Sequence, residues 1–218
     1  MALRLVFLGP PGAGKGTIAQ RLAEAHGLAQ ISTGDLLREE ASKGTSLGNK
    51  VKATTEAGEY VDDETVVTLV ENKLEEMGKE KGFILDGFPR TMAQAEMLEK
   101  TLEKLAMKLD AAFDIEASDE TIIERLSGRR SCPKCGKIYH LKNIPPKEEG
   151  KCDACSTKLT QREDDKPQVV KMRLETYRKK TAPLIEHYEG KGMLKTIDAN
   201  GAVEENMSNA EKIIEELE

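Results

Sequence analysis

At 218 residues the chain has room for one sizeable hydrophobic core and little more. With 38% hydrophobic and 33% charged residues it has the balance of a globular protein, and no apolar run approaches the roughly 20 residues of a membrane helix or the shorter core of a secretory leader, so a cytoplasmic protein without a membrane partner is expected. The net charge of −6 argues against a general polyanion binder, whose affinity comes from basic charge, and so against a nucleic-acid partner; it leaves room for a small anion held by a local cluster.

Leu3–Leu8 is a short apolar run ending in Gly-Pro-Pro-Gly, which reads as a buried parallel strand. From Lys15 to His26 the pattern turns helical, with Ile18, Ala19, Leu22 and Ala25 at spacings of three and four and Gly27 as a stop. Further strands are expected at Leu28–Ile31, Phe83–Leu85, Ala111–Ile115 and Met193–Ile197. Helical stripes cover Asp63–Met77, Thr91–Leu109, Asp119–Leu126 (with Ser118 as N-cap) and Val203–Leu217. Strands alternating with helices predict an α/β fold with a parallel sheet, right-handed crossovers and helices on both faces. Two stretches interrupt this rhythm, about 32–61 and about 128–165, and both read as insertions into the core. The second is polar and has too few apolar residues to hold its own shape. Asp164-Asp165 at its end are expected to cap the helix that follows.

The most specific motif is Gly9-Pro10-Pro11-Gly12-Ala13-Gly14-Lys15-Gly16-Thr17, placed between a strand and a helix as a phosphate-binding loop must be. Glycines let several backbone N–H groups converge on one phosphate, the new helix adds its positive end, and Lys15 supplies a full charge to the β- and γ-phosphates. Where the usual pattern has Ser or Thr directly after Lys, this chain has Gly16 and then Thr17, a departure typical of one kinase subfamily that leaves open which hydroxyl faces Mg²⁺.

Cys132-x-x-Cys135 and Cys152-x-x-Cys155 have the spacing of a four-cysteine zinc site. All four ligand positions would come from protein, so the metal would be structural and would supply folding energy to a segment without a core. Iron or cobalt in place of zinc, and a pair of disulfides, are the open alternatives; the lack of an export signal disfavours the disulfides.

With Ser32-Thr33-Gly34-Asp35-Leu36-Leu37-Arg38 and Asp86-Gly87-Phe88-Pro89-Arg90 added, the sequence resembles the adenylate kinases along essentially its whole length, in particular the long-lid type with a zinc site. The resemblance implies a P-loop core with an AMP-binding insertion (32–61) and a mobile lid (128–165), a monomer, and the reaction Mg·ATP + AMP ⇌ 2 ADP. By the same resemblance Gly12, Ala13, Gly14, Lys15, Gly16 and Thr17 bind the ATP phosphates, Arg125 lies against the ATP adenine, Arg129 reaches the phosphates, Ile138 and Tyr139 contact ATP from the lid, and the Gly201 backbone reads adenine. Thr33, Arg38, the backbone of Glu59, Tyr60 and Val61, the turn Gly87-Phe88-Pro89-Arg90, and Gln94 hold AMP. Arg162 and Arg173 bridge to the transferred group, and Asp86 orients Mg²⁺ through water. Other members often have Lys and Leu where this chain has Glu59 and Tyr60.

Helix capping is a competing role for Ser32/Asp35, for Thr91/Gln94 and for Asp86, and solvated or ion-paired surface roles compete for Arg125 and Arg173. The three histidines, His26, His140 and His187, form no nucleophile–base arrangement. Three rival functions stand beside the kinase reading. They are a kinase for UMP, CMP or GMP, a zinc-ribbon nucleic-acid module joined to a nucleotide switch, and a P-loop GTPase, which would need an NKxD-like stretch that the chain lacks.

Overall fold

Five short strands lie side by side and parallel in the computed structural model, which describes residues 2–217. In chain order the elements are β1 (Arg4–Leu8), α1 (Lys15–His26), β2 (Ala29–Ser32), α2 (Thr33–Ser42), α3 (Ser46–Glu56), α4 (Asp63–Met77), β3 (Phe83–Asp86), α5 (Met92–Lys104), β4 (Ala111–Glu116), α6 (Asp119–Gly128), β5 (Arg129–Ser131), β6 (Ile138–His140), α7 (Pro167–Lys180), α8 (Pro183–Gly190), β7 (Leu194–Asp198) and α9 (Val203–Leu217). The main sheet runs β2-β3-β1-β4-β7. Alternation along the strands sends Val6, Leu85 and Ala112 to one face, under α4, α5 and α8. It sends Leu5, Phe7, Ile84 and Phe113 to the other, under α1 and α9. A parallel sheet covered on both faces needs apolar residues at consecutive strand positions, and β1 and β3 have them.

The strand order also positions the site. From β1 the chain passes to β2 and β3 on one side, then crosses to β4 and β7 on the other. In such a sheet a crevice opens at the carboxyl ends of the strands where the order reverses. The loops after β1 and β3 both end there, because Phe7 is in register with Asp86.

Two expectations are corrected. The helix expected over Thr91–Leu109 spans only Met92–Lys104, with Thr91 as its N-cap. Ala106 takes φ 52° and the Ala106 and Met107 N–H groups donate back to the Glu103 and Leu102 carbonyls, which is the left-handed closure usually made by glycine. Asp164 and Asp165 do not cap α7. A 3-10 turn spans Glu163–Asp165, α7 starts after Lys166 with Pro167 in its first turn, and Asp165 is buried among arginines. Elsewhere the caps agree with expectation: Ser32 and Ser118 accept from Asp35 N and Thr121 N, and Gly27 closes α1 at φ 66°.

The segment 129–160 stands apart. Strands β5 and β6 pair antiparallel, bridges join Ser131 to Thr160 and Lys151 to Lys158, and the buried cluster is Cys132, Tyr139, Cys152 and Leu159.

Candidate active site

The loop 9–14 turns tightly between β1 and α1. Gly9 has φ 134°, and a Cβ there would lie 2.3 Å from the Ile115 carbonyl oxygen, so neither the conformation nor the space admits another residue. Lys15 folds back over the loop and donates from Nζ to the Gly9 and Pro10 carbonyls at 2.7 and 2.8 Å. Its ammonium is pushed down to about 7, mainly by burial and further by Arg90, Arg173 and Arg129, against the pull of Asp86. An anion placed beside Lys15 would oppose this shift and favour its charged form.

Asp86 ends β3 beside Lys15. Burial raises its pKa, while Lys15 and Arg90 oppose the shift. Its carboxylate accepts from Gln30 Nε2 at 3.2 Å. A Cβ on Gly16 would lie 3.1 Å from Asp86 Oδ2, so the glycine after Lys15 leaves room for this carboxylate at the helix start. Asp86 does not cap α1, whose N-cap residue is Gly14 and has no side-chain partner.

The arginines converge through acids. Buried Asp165 takes Arg129 on both oxygens, with Nε at 2.7 Å, and accepts from Arg173 Nη1 at 3.4 Å. Arg173 also donates to the Asp164 carbonyl at 2.9 Å and pairs with its carboxylate at 3.0 Å. Arg162 is brought down to about 10 by burial and then by Arg38 and Arg129, which leaves it cationic at neutral pH. Arg173 is therefore half-buried and ion-paired rather than solvated. Arg125 donates to the Ala13 carbonyl at 2.8 Å and to those of Ala199 and Gly201 at 2.6 and 3.2 Å, tying the phosphate loop to the loop after β7.

A pocket next to this cluster is lined by Thr33, Glu59, Tyr60, Val61, Arg90 and Gln94 with the apolar side chains of Leu37 and Val66. The Gly87 carbonyl accepts from Thr33 Oγ1 and from Arg90 Nε, each at 2.8 Å. Gln94 does cap with Thr91, yet its side-chain amide also accepts from Arg90 N at 2.7 Å and donates to Asp63 at 2.8 Å. Other expected residues lie differently. The Phe88 side chain is in the core beneath the pocket, and Arg38 is outside its lining, held by Asp35 at 2.6 Å. The Tyr139 ring is enclosed in the cysteine hairpin, its hydroxyl 3.4 Å from Cys152 Sγ, while Ile138 is exposed.

Sequence reasoning missed Gln30, the arginine-holding role of Asp164 and Asp165, and Asp114. Asp114 lies within β4, its Oδ1 buried and unpartnered among the described residues. Burial first, then Glu116, raises its pKa to about 6, against the pull of Lys15. The folded state holds this proton more tightly than the unfolded chain, so its contribution to stability is complete below about pH 4 and is lost as pH rises through about 6. Asp114→Asn is accordingly expected to raise Tm at pH 7.5 by about 3–8 °C, from roughly 1–3 kcal/mol, and to leave it nearly unchanged at pH 4. Calorimetry at the two pH values checks this.

The four cysteines are free, with Sγ–Sγ separations of 3.4, 3.5 and 3.7 Å for three of the pairs and all four atoms within 4.8 Å of one another. Four thiolates at about 2.3 Å from a tetrahedral zinc are about 3.8 Å apart, so this donor set fits zinc. It is the one group of this kind among the described residues. The histidines serve elsewhere: His26 meets Glu211 at 2.6 Å, His187 meets Glu99 at 3.2 Å, and His140 Nδ1 accepts from Lys142 N and Asn143 N in the hairpin. No helix among the described residues is long and apolar enough to cross a membrane.

Comparison with known proteins agrees with this geometry. The family model described as Adenylate kinase matches residues 7–193. The adenylate kinase of Archaeoglobus fulgidus is 47% identical over 215 residues, covering 99% of both chains. That of Thermodesulfovibrio yellowstonii is 48% identical over 213 residues, covering 98% of this chain and 99% of its own. That of Caldicellulosiruptor saccharolyticus is 52% identical over 194 residues, covering 89% and 90%. The strand–loop–helix around Lys15, the four-cysteine cluster and similarity over nearly the whole length agree: the chain belongs to the adenylate kinase family.

Proposed function

We propose that the chain transfers the γ-phosphoryl group of Mg-ATP to AMP, reversibly, to give two ADP. The observation that carries this reading is the arginine group held by Asp164 and Asp165 between the Lys15 loop and the Thr33–Gln94 pocket. Two anions must be brought together in line, and the site is built of fixed positive charge. The acceptor is a phosphate with a second pKa of about 6, already ionised near neutral pH, so attack needs no general base. All three histidines lie outside the site, which fits that chemistry. Lys15 grips the triphosphate. Arg90 takes the acceptor phosphate, and Arg129, Arg162 and Arg173 stabilise the charge that spreads over the transferring group. Arg125, with the Gly201 carbonyl beside it, offers a planar face to the ATP adenine.

Asp86, buried beside Lys15 and oriented by Gln30, is the carboxylate suited to hold Mg²⁺ through water. When bound, the ion would neutralise charge on the β- and γ-oxygens. Cys132, Cys135, Cys152 and Cys155 would hold a structural zinc. Residues 32–61 and 128–165 are the two mobile pieces, and closure of the second would bring in Arg129 and exclude water. A nucleic-acid role for the cysteine hairpin gains no support: Lys142 and Lys151 are paired with Glu124 and Glu148.

The test is ADP formation from ATP with AMP, UMP, CMP or GMP, with and without Mg²⁺. AMP is expected to exceed each alternative by at least about tenfold in kcat/KM, and turnover is expected to require Mg²⁺. A preference for another monophosphate would overturn the reading.

A further inference from the structure

The Tyr60 side chain makes contacts that a leucine could not. The Thr181 hydroxyl donates to the Arg90 carbonyl at 2.9 Å. The Tyr60 hydroxyl lies 2.8 Å from Thr181 Oγ1. Threonine has one hydroxyl proton, and it is used on Arg90, so Tyr60 is the donor to Thr181. A directed chain of hydrogen bonds therefore runs from Tyr60 through Thr181 to the Arg90 backbone. It links the segment after α3 to the junction of α7 and α8, where Thr181 is buried.

The ring adds a second hold. The Arg90 guanidinium carbon is 5.2 Å from the Tyr60 ring centroid, within the range of about 6 Å where the ring quadrupole attracts a cation, and Lys180 Nζ is 5.6 Å from the same ring. Arg90 Nε is already fixed on the Gly87 carbonyl at 2.8 Å. No protein acceptor engages the two Nη groups of Arg90 among the described residues, so they are left for an anion in the pocket that Tyr60 and Arg90 both line.

We infer that Tyr60 is a positioning residue for the acceptor nucleotide: its ring and its hydroxyl hold Arg90, face and backbone, in the orientation that meets the acceptor phosphate. This rests on the AMP reading above and assigns to the Tyr60 side chain a role that the backbone of residue 60 does not have. It concerns one substrate and not the other, because neither Tyr60 nor Thr181 donates to the Lys15 loop.

The experiment is steady-state kinetics on the full-length protein with AMP and ATP varied separately, for wild type, Tyr60→Leu, Tyr60→Phe and Thr181→Val. Tyr60→Leu is expected to raise the KM for AMP about 3- to 10-fold, with the KM for ATP and kcat changed less than about twofold. Tyr60→Phe keeps the ring and should fall between wild type and Tyr60→Leu. Thr181→Val removes the bond to the Arg90 carbonyl as well as the one from Tyr60, so it should cost at least as much as Tyr60→Phe, and the double variant should be no worse than Thr181→Val alone. Equal shifts in both KM values, or no shift in that for AMP, would overturn the inference, as would additive effects of Tyr60→Phe and Thr181→Val. If Tyr60→Leu does not fold, the Phe and Val variants and their combination decide by the same criteria. Wild type that fails to use AMP at all would instead defeat the functional reading.

Discussion

Lys15→Met is expected to lower kcat/KM by about three orders of magnitude while Tm stays within a few degrees of wild type. Removing one preorganised charge from the transition state costs about 3–4 kcal/mol, a factor of 10² to 10³, and the same side chain also grips the ground-state triphosphate. The fold should tolerate the loss. Lys15 is a buried cation whose surroundings hold its ammonium down at about 7, so its charge opposes stability in the empty protein. Methionine keeps the aliphatic stem and gives up only the two bonds to Gly9 and Pro10. Coupled-assay kinetics beside a thermal melt checks both halves. A variant that turns over normally would mean that the loop around Lys15 does not hold the reacting phosphates.

If the four cysteines hold a structural zinc as proposed, its chelation is expected to melt the hairpin at 129–160 and to lower kcat by at least about 100-fold, with the sheet and its helices left folded. Besides the cysteines the hairpin buries only Tyr139 and Leu159 as large apolar side chains, too little to offset the entropy of ordering its backbone, so metal binding there would count as folding energy. Arg129 leads into the hairpin and Arg162 leaves it, so melting would scatter two of the charges proposed to surround the transferred group. Hydrogen exchange resolved by peptide is the measurement: protection should vanish at 129–160 and persist in β1, β3 and β4. Simultaneous loss in both regions would show that the hairpin and the core unfold together.

The parts of the molecule that could be read from sequence are those whose cause is local. A glycine run between an apolar strand and a helix marks the phosphate loop wherever it occurs, and the paired C-x-x-C units announce their own geometry. Strands β1, β3 and β4 were readable because each is a short, mostly apolar run, whereas the edge strands β2 and β7, with Gln30, Ser32, Lys195 and Thr196, carry a weaker signal. What escaped depends on distant partners or on an unusual local choice. Asp165 reads as a helix cap until Arg129, 36 residues earlier, is seen on its carboxylate. Gln30 looks like an ordinary strand residue, and only the register beside β3 brings it to Asp86, 56 residues on. The end of α5 was hidden because Ala106 occupies a left-handed position that glycine would have advertised, while the apolar spacing continues to Met107.

The cysteine hairpin shares none of its buried side chains with the two clusters that sandwich the main sheet. Its buried side chains pack on one another, so its shape depends on its cysteines and its short ladder more than on the main core. Changes within it would leave the packing on both faces of the main sheet largely undisturbed.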